Sequence, residues 1–235
     1  MALLTIEGFH QALCGPTIAI EVGEGDSKAN FQVFEGILCQ FEWFARALKK
    51  DRFKEGKERK ITLPETSEKV FKYFQYFAFF GKVDFHDQVR DFDEGSVQHS
   101  IQEMVDLWVF CDTYDIAELQ IYAIVQLRRL LQWSCEWHYR INDDTLALAH
   151  ASTNEDSHLR IIFAEFIVQR IQEFGDPESK YEFLGEYTGF ISELYRAKGR
   201  YDQTQLGSGP VTFPMSFSDL TSYNVLQISE SWQAV

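Results

Sequence analysis

The order of hydrophobic and polar residues between positions 30 and 63 predicts a strand, a pair of helices and a second strand. Residues 30–34 alternate between polar and apolar, which is typical of a strand with one buried face. From Glu35 to Leu48 the apolar spacing becomes helical and predicts a helical hairpin. Residues 61–63 predict the second strand, which ends at Pro64 because proline has no backbone N–H for strand pairing. The apolar face of the hairpin consists of Ile37, Leu38, Phe41, Phe44, Ala45 and Leu48.

The next predicted helix is rich in aromatic residues. Seven of the ten residues from Phe71 to Phe80 are Phe or Tyr. Ser67 is placed to cap this helix, and Glu68 in the first turn complements the helix dipole. A helix this apolar is not suited to the surface, so we expect it to lie in the core and to serve packing, with no role as a cofactor-binding stripe.

A further strand is predicted near the N-terminus, after a segment at 1–14. Residues 17–22 alternate, and the turn at 23–27 makes them a hairpin with the strand at 30–34. Gly23 and Gly25 follow a strand as they would in a dinucleotide-binding loop. No third glycine follows and a strand comes next, so we reject that interpretation.

The remaining chain is predicted to be mostly helical. The polar, acidic segment from Lys82 to His99 predicts a loop, and a helical apolar stripe follows from Ile101 to Cys111. Asp115, with Glu118 three residues later, predicts the cap of another helix. Beyond an aromatic connector at 133–140 we expect helices at 145–149, from 155 or 156 to 171, and more weakly at 183–198, and then a flexible tail.

Composition narrows the classes of partner. The 235 residues are 45% hydrophobic, which is ample for a core, and the net charge is −14. A surface this acidic repels phosphate, so we expect no nucleic-acid partner and no membrane partner. No stretch approaches the ~20 apolar residues of a membrane helix, and Met1–Gly15 lacks the pattern of a secretory signal. We therefore expect a cytoplasmic or nuclear protein with reduced cysteines, of which Cys39 and Cys111 fall on apolar helical faces.

Residue patterns that carry chemistry are weak in this sequence. The six histidines show no metal-ligand spacing with one another or with cysteine, and no nucleophile elbow or phosphate loop is present. The run Asp91-x-Asp93-x-Gly95 differs from a calcium loop in its glycine position and lacks the closing Glu. We therefore predict no enzyme activity and no catalytic, cofactor-binding or metal-binding residues.

The ordered motifs resemble those of the BTB/POZ domain, and the layout is similar to BTB proteins of fungal type. The resemblance covers residues 15–132 and implies an α+β fold: a small β-sheet covered by a cluster of α-helices. A helical C-terminal extension at 133–200 and a flexible tail at 201–235 would follow. The motifs are Phe31-Gln32-Val33, Ile37-Leu38, Trp43-Phe44, Ala47-Leu48, Phe53-Lys54-Glu55, Ile61-Thr62-Leu63-Pro64, Phe79-Phe80-Gly81, Leu107-Trp108, Tyr114-Asp115-Ile116 and Leu119.

The resemblance implies a protein–protein interaction module. Members self-associate or act as adaptors that dock a cullin-type ubiquitin ligase. Phe53, Lys54 and Glu55 lie where ligase-docking members carry a hydrophobic-x-Glu motif, so they are the candidate partner-binding residues. Two alternatives remain open: these residues are ordinary loop sequence, or the chain is an oligomerising scaffold, such as a homodimer or a pair with another BTB chain, without a ubiquitin role. The basic run at 49–60 is a solvated loop or a contact patch for an acidic partner.

The sequence also departs from the strongly self-associating members of the family. Those members carry an Asp at the start of the first strand and a His-Lys pair after Phe-x-Val. Here Pro16 or Thr17 and Phe34-Glu35 occupy these places. The charged pocket of those members is therefore missing, which argues against corepressor binding.

Overall fold

The computed structural model describes residues 5–49, 53–83 and 93–206. They divide into two compact units. The N-terminal unit comprises the described residues of Met1–Arg90 and Gln102–Ala123, and the C-terminal unit those of Asp91–Ile101 and Ile124–Val235. Helices predominate and the described strands form one small sheet, so the chain is of mixed α and β structure, compatible with the predicted α+β class.

A three-stranded sheet organises the N-terminal unit. Its strands are β1 (Thr17–Val22), β2 (Ala29–Phe34) and β3 (Lys60–Leu63), in the order β2-β1-β3. β2 runs antiparallel to β1, and β3 runs parallel to it. Ile18, Ile20 and Val22 all point from β1 to the buried side, as the period of two requires. The three predicted strands are confirmed.

Five helices of the N-terminal unit come before, between and after these strands along the chain. The predicted hairpin is two short helices, because Phe41 has an extended backbone and interrupts the helical run. The N-terminal segment, for which no helix was predicted, also contains one. These helices are α1 (Ile6–Leu13), α2 (Glu35–Leu38), α3 (Glu42–Ala47), α4 (Lys54–Glu58) and α5 (Glu68–Phe80).

The aromatic helix α5 is a core helix on one side and a surface helix on the other. The Ser67 hydroxyl accepts a hydrogen bond from the Val70 N–H at 3.2 Å, which confirms the predicted cap. Phe71, Phe74 and Phe77 are buried, whereas the ring of Phe80 is 61% exposed. The predicted core role is therefore confirmed for the face that carries the three buried rings.

Two predictions around the long helices α6 (Glu94–Tyr114) and α7 (Ala117–Glu136) are wrong. The predicted loop up to His99 ends earlier, since the Asp93 carboxylate accepts from the Ser96 N–H at 3.0 Å and α6 begins at Glu94. Asp115 does not cap α7. Its backbone is left-handed (φ 56°), and the next N–H, that of Ile116, returns to the Cys111 carbonyl at 2.9 Å, which terminates α6.

The C-terminal unit continues with α8 (Asp143–Ala151), α9 (His158–Phe174), a 3-10 helix at Glu178–Glu186 and α10 (Phe190–Leu206). α9 starts later than predicted, because the Ser157 hydroxyl caps it by accepting from the Arg160 N–H. The single weak helix predicted at 183–198 is wrong: the region divides into the 3-10 helix and α10. Residues 201–206 belong to α10, and the rest of the predicted tail lies outside the described residues.

The predicted division of the chain at 132/133 stays a prediction, and its position lies inside α7 (Ala117–Glu136). One smaller expectation, on a cysteine, changes. Cys39 lies at the end of α2 and is exposed, so it is not on a buried face, whereas Cys111 is buried as expected.

Two substitutions on α5 compare how much its buried and exposed faces contribute to the free energy of unfolding. Phe74→Ala should lower the free energy of unfolding by about 3–5 kcal/mol, because it leaves a cavity among buried rings. The same truncation at exposed Phe80 should change it by less than about 1 kcal/mol. Denaturant titration of both variants checks this, and equal losses would contradict the assignment of the two faces.

Candidate protein-interaction site

The three predicted partner-binding residues follow one another at the start of α4. Phe53 has an extended backbone just before the helix, and its side chain is 48% exposed. Lys54 is exposed and Glu55 is half-buried. The Phe53 carbonyl accepts a hydrogen bond from the Lys57 N–H at 3.4 Å, so the backbone of Phe53 is bonded to the first turn of α4. Phe53 thus offers an apolar surface to solvent from a position with a defined backbone.

A glycine allows α4 to lie against the chain that follows α3. Gly56 is buried, and a Cβ atom there would lie 2.6 Å from the Lys49 carbonyl oxygen. Contacts that close do not occur with side-chain carbons, so only glycine permits this approach. The position of Phe53 and Glu55 therefore depends on Gly56, which has no side chain.

An ion pair fixes the other end of α4. Arg59 ends the helix with a left-handed backbone (φ 54°). Its guanidinium donates to the Glu35 carboxylate at 2.8 Å and to the Thr17 carbonyl at 3.4 Å. Arg59 therefore joins α4 to the first turn of α2 and to the start of β1.

Part of the basic run is paired with carboxylates. Besides Arg59, Lys60 is also paired, since it donates to Glu21 at 2.8 Å. Hydrogen bonds from Lys60 and from Lys28 lower the pKa of the Glu21 carboxyl. Lys54 lies 3.7 Å from Glu58 in an exposed pair of small energetic weight. Arg59 and Lys60 are thus engaged within the chain, and residues 50–52 lie outside the described residues.

The side chains at the site offer two kinds of contact. Phe53 supplies an apolar ring, and the Glu55 carboxylate can accept hydrogen bonds. The buried thiols stay protonated and are poor nucleophiles, because burial raises the pKa of Cys135 to about 12 and that of Cys111 well above its usual value. Within residues 5–49, 53–83 and 93–206, no three His, Cys, Asp or Glu side chains are grouped so that they could hold a metal ion. None of the described helices is long and apolar enough to span a bilayer.

A second exposed apolar feature was missed from the sequence. α1 begins at Ile6, whose side chain is 93% exposed, and only Ala12 of this helix is buried. The helix packs closely on α2, where a Cβ at Gly36 would lie 2.7 Å from the Ala12 Cα. The signal was present: Ile6, Phe9 and Leu13 have helical spacing, and Thr5 caps the helix by accepting from the Gly8 N–H.

Comparison with models of known protein families gave no match, and comparison with curated proteins also gave none. The resemblance to the BTB/POZ domain therefore depends on the motifs quoted above, and it stays a prediction.

Gly56→Ala tests whether the close approach of α4 is required. We expect the free energy of unfolding to fall by roughly 1–3 kcal/mol, because the added methyl group forces α4 away from the Lys49 carbonyl. Gly199→Ala is the matched control: a Cβ there meets nothing within 4 Å, and it should stabilise α10 by about 0.4–1 kcal/mol. Thermal unfolding of both variants gives the comparison. A stabilised Gly56→Ala variant would show that the approach is not tight.

Proposed function

We propose that this chain is a protein-interaction module of the BTB/POZ type that docks a cullin-type ubiquitin ligase through Phe53, Lys54 and Glu55. The observation that carries the proposal is the exposure of Phe53. Phe44, Phe71, Phe74 and Phe77 are buried in the same unit, whereas about half of the Phe53 side chain faces solvent. Aromatic residues are enriched at protein interfaces, where a ring that fills a pocket of the partner can act as an anchor.

The order of elements supports the BTB/POZ part of the proposal. A hairpin of β1 and β2 is followed by three short helices, the strand β3 and the aromatic helix α5. This is the order in which the resembling motifs occur along the sequence. β3 pairs in parallel with β1, so it belongs to the same sheet as the hairpin.

Binding would use the two side chains differently. The Phe53 ring would fill an apolar pocket of the partner and bury its remaining surface there, which is the main source of affinity. The Glu55 carboxylate would accept a charge-assisted hydrogen bond from a donor at the pocket's edge and so fix the orientation. Gly56 and Arg59 hold α4 in place, so little ordering of the backbone is needed on binding.

The structural alternative is that Phe53 mainly stabilises its own chain. The buried half of its side chain makes contacts within the N-terminal unit, so its removal has a cost to folding as well. The two roles are separated by measuring stability and affinity on the same variant.

Phe53→Ala combined with Glu55→Ala should weaken binding to a purified cullin by about 2 kcal/mol or more, or roughly thirtyfold in Kd, while the melting transition stays cooperative. Calorimetric titration and thermal unfolding of the full chain provide the two measurements. Phe80→Ala with Glu68→Ala removes the same chemical groups from the surface of α5, and it should leave the affinity unchanged. A wild-type chain without affinity for any cullin at micromolar concentration would contradict the adaptor role.

The exposure of Ile6 favours a second candidate, self-association as a homodimer through α1. An amphipathic helix that buries only Ala12 leaves an apolar edge that a second copy of the chain can cover. This scaffold role requires no ubiquitin ligase.

Ile6→Asp should convert such a dimer to a monomer in sedimentation equilibrium. The new carboxylate lies in the first turn of α1, where it complements the helix dipole, so the helix itself is retained. Gln11→Ala, an exposed change on the same helix, is the control and should leave the mass unchanged. A wild-type chain that is monomeric at tens of micromolar would rule out this candidate.

A further inference from the structure

A buried charged cluster lies in the C-terminal unit where α8, α9 and α10 come together. It consists of His150 on α8, Arg160 on α9 and Glu193 on α10, which are 2%, 3% and 2% exposed. Charged side chains are buried only when they are paired and hydrogen-bonded, so the pairing within this cluster determines what charges it tolerates.

Arg160 and Glu193 neutralise each other. The Arg160 Nε donates to the Glu193 carboxylate at 3.1 Å, and the Asp156 backbone N–H donates to its other oxygen at 3.2 Å. A second Arg160 nitrogen, Nη2, donates to the Thr188 carbonyl. Both carboxylate oxygens of Glu193 are therefore occupied, and its one negative charge is balanced by one guanidinium.

His150 fits this cluster as a neutral ring. Its Nδ1 donates to the Leu146 carbonyl at 2.8 Å, which leaves Nε2 as the unprotonated nitrogen. Nε2 has no hydrogen-bond partner among the described residues and lies 3.9 Å from the nearest Glu193 oxygen. The rings of Tyr187 and Phe190 pack against the imidazole, with centroids 5.8 and 5.3 Å away.

A proton on Nε2 would create an excess charge. The cluster would then hold two cations and one carboxylate whose oxygens are already engaged, in a site closed to water. The groups that face His150 are Arg160 from α9, Glu193 from α10, Tyr187 from the segment before α10 and the Leu146 carbonyl from α8 itself. Burial and the charge of Arg160 oppose the added proton, whereas the Leu146 carbonyl and Glu193 favour it.

We propose that the His150 cluster is an acid-sensitive latch, in which protonation of His150 releases the segment from Tyr187 to Glu193 that starts α10. This segment is held at three points of the cluster: the packing of Tyr187 and Phe190 on the imidazole, the Thr188 carbonyl bound by Arg160, and Glu193 itself. Gly189 between them has a left-handed backbone (φ 85°), and a Cβ there would lie 2.6 Å from the Glu155 side chain.

The direction of the pH effect follows from the neutral state of the folded cluster. Desolvation by burial, with Arg160 adding to it, lowers the pKa of His150, although the hydrogen bond to Leu146 and the charge of Glu193 act in the opposite sense. The unfolded chain then binds the proton more tightly than the folded one. The stability from neutral His150 is present in full above the unfolded pKa of about 6.5, and is lost as pH falls through the lower folded pKa. The unfolding equilibrium constant rises by up to about tenfold per pH unit in this window.

The test compares the wild-type chain with His150→Phe, which keeps an aromatic ring but cannot titrate. Urea unfolding of each full chain is measured from pH 7.5 to 5.5, together with hydrogen exchange of the Asp156, Phe190 and Glu193 amides. Wild type should lose protection at these three amides by about tenfold or more as the pH falls, whereas the variant should not. The difference between the two chains cancels the carboxyl groups that titrate in both.

His150→Gln is the second variant, in case His150→Phe does not fold, and it is expected to show the same flat profile. His10→Gln removes an exposed histidine of the N-terminal unit and should retain the wild-type profile. Equal pH dependence in wild type and both His150 variants would overturn the proposal. So would a pH-dependent loss of protection that affects α5 amides as much as those of the segment.

Discussion

The packing around Phe74 is the constraint on which the N-terminal unit depends. Its ring stacks on Phe44 at 5.1 Å and meets the rings of Phe41 and Phe110 at 4.9 and 5.4 Å. Helices of four and six residues such as α2 and α3 are not stable alone, because helix nucleation is unfavourable over so few residues. The Phe44 ring of α3 packs on α5, and the backbone break at Phe41 becomes acceptable because the Phe41 ring remains in the core.

Phe53 presents an apolar ring to solvent just before α4, a property that it shares with Phe80 of α5. α4 is held by the close approach at Gly56 and by the pair of Arg59 with Glu35. Phe53 therefore presents its ring from a backbone that these contacts hold in place.

The C-terminal unit is organised by buried charge to a greater degree. Arg170 lies on the apolar face of α9, as its spacing predicts, and its partner is Asp176, with an Nε–carboxylate distance of 3.1 Å. Desolvation works against this carboxylate, yet hydrogen bonds from Arg170, Tyr181 and Lys180 lower its pKa to about 2. Glu165 is buried on the same helix and pairs with Arg200 of α10 at 2.8 Å. The pair of Glu165 with Arg200 makes the packing of α10 on α9 depend on charge state, which packing of aliphatic residues would not do.

Local signals in the sequence determined the strands, the aromatic helix and the cap at Ser67, because alternation, helical spacing and capping depend on residues within about one or two turns of each other. Where local signals conflict, tertiary structure decided which conformation forms. Asp115 is a residue type preferred at N-caps, but here it ends α6. Its left-handed backbone lets the next amide, that of Ile116, donate to the Cys111 carbonyl. The exposure of Phe53 depends on tertiary packing, and the pairing of Glu193 with Arg160 joins residues far apart in the chain. No local pattern records which side chains folding will bring together.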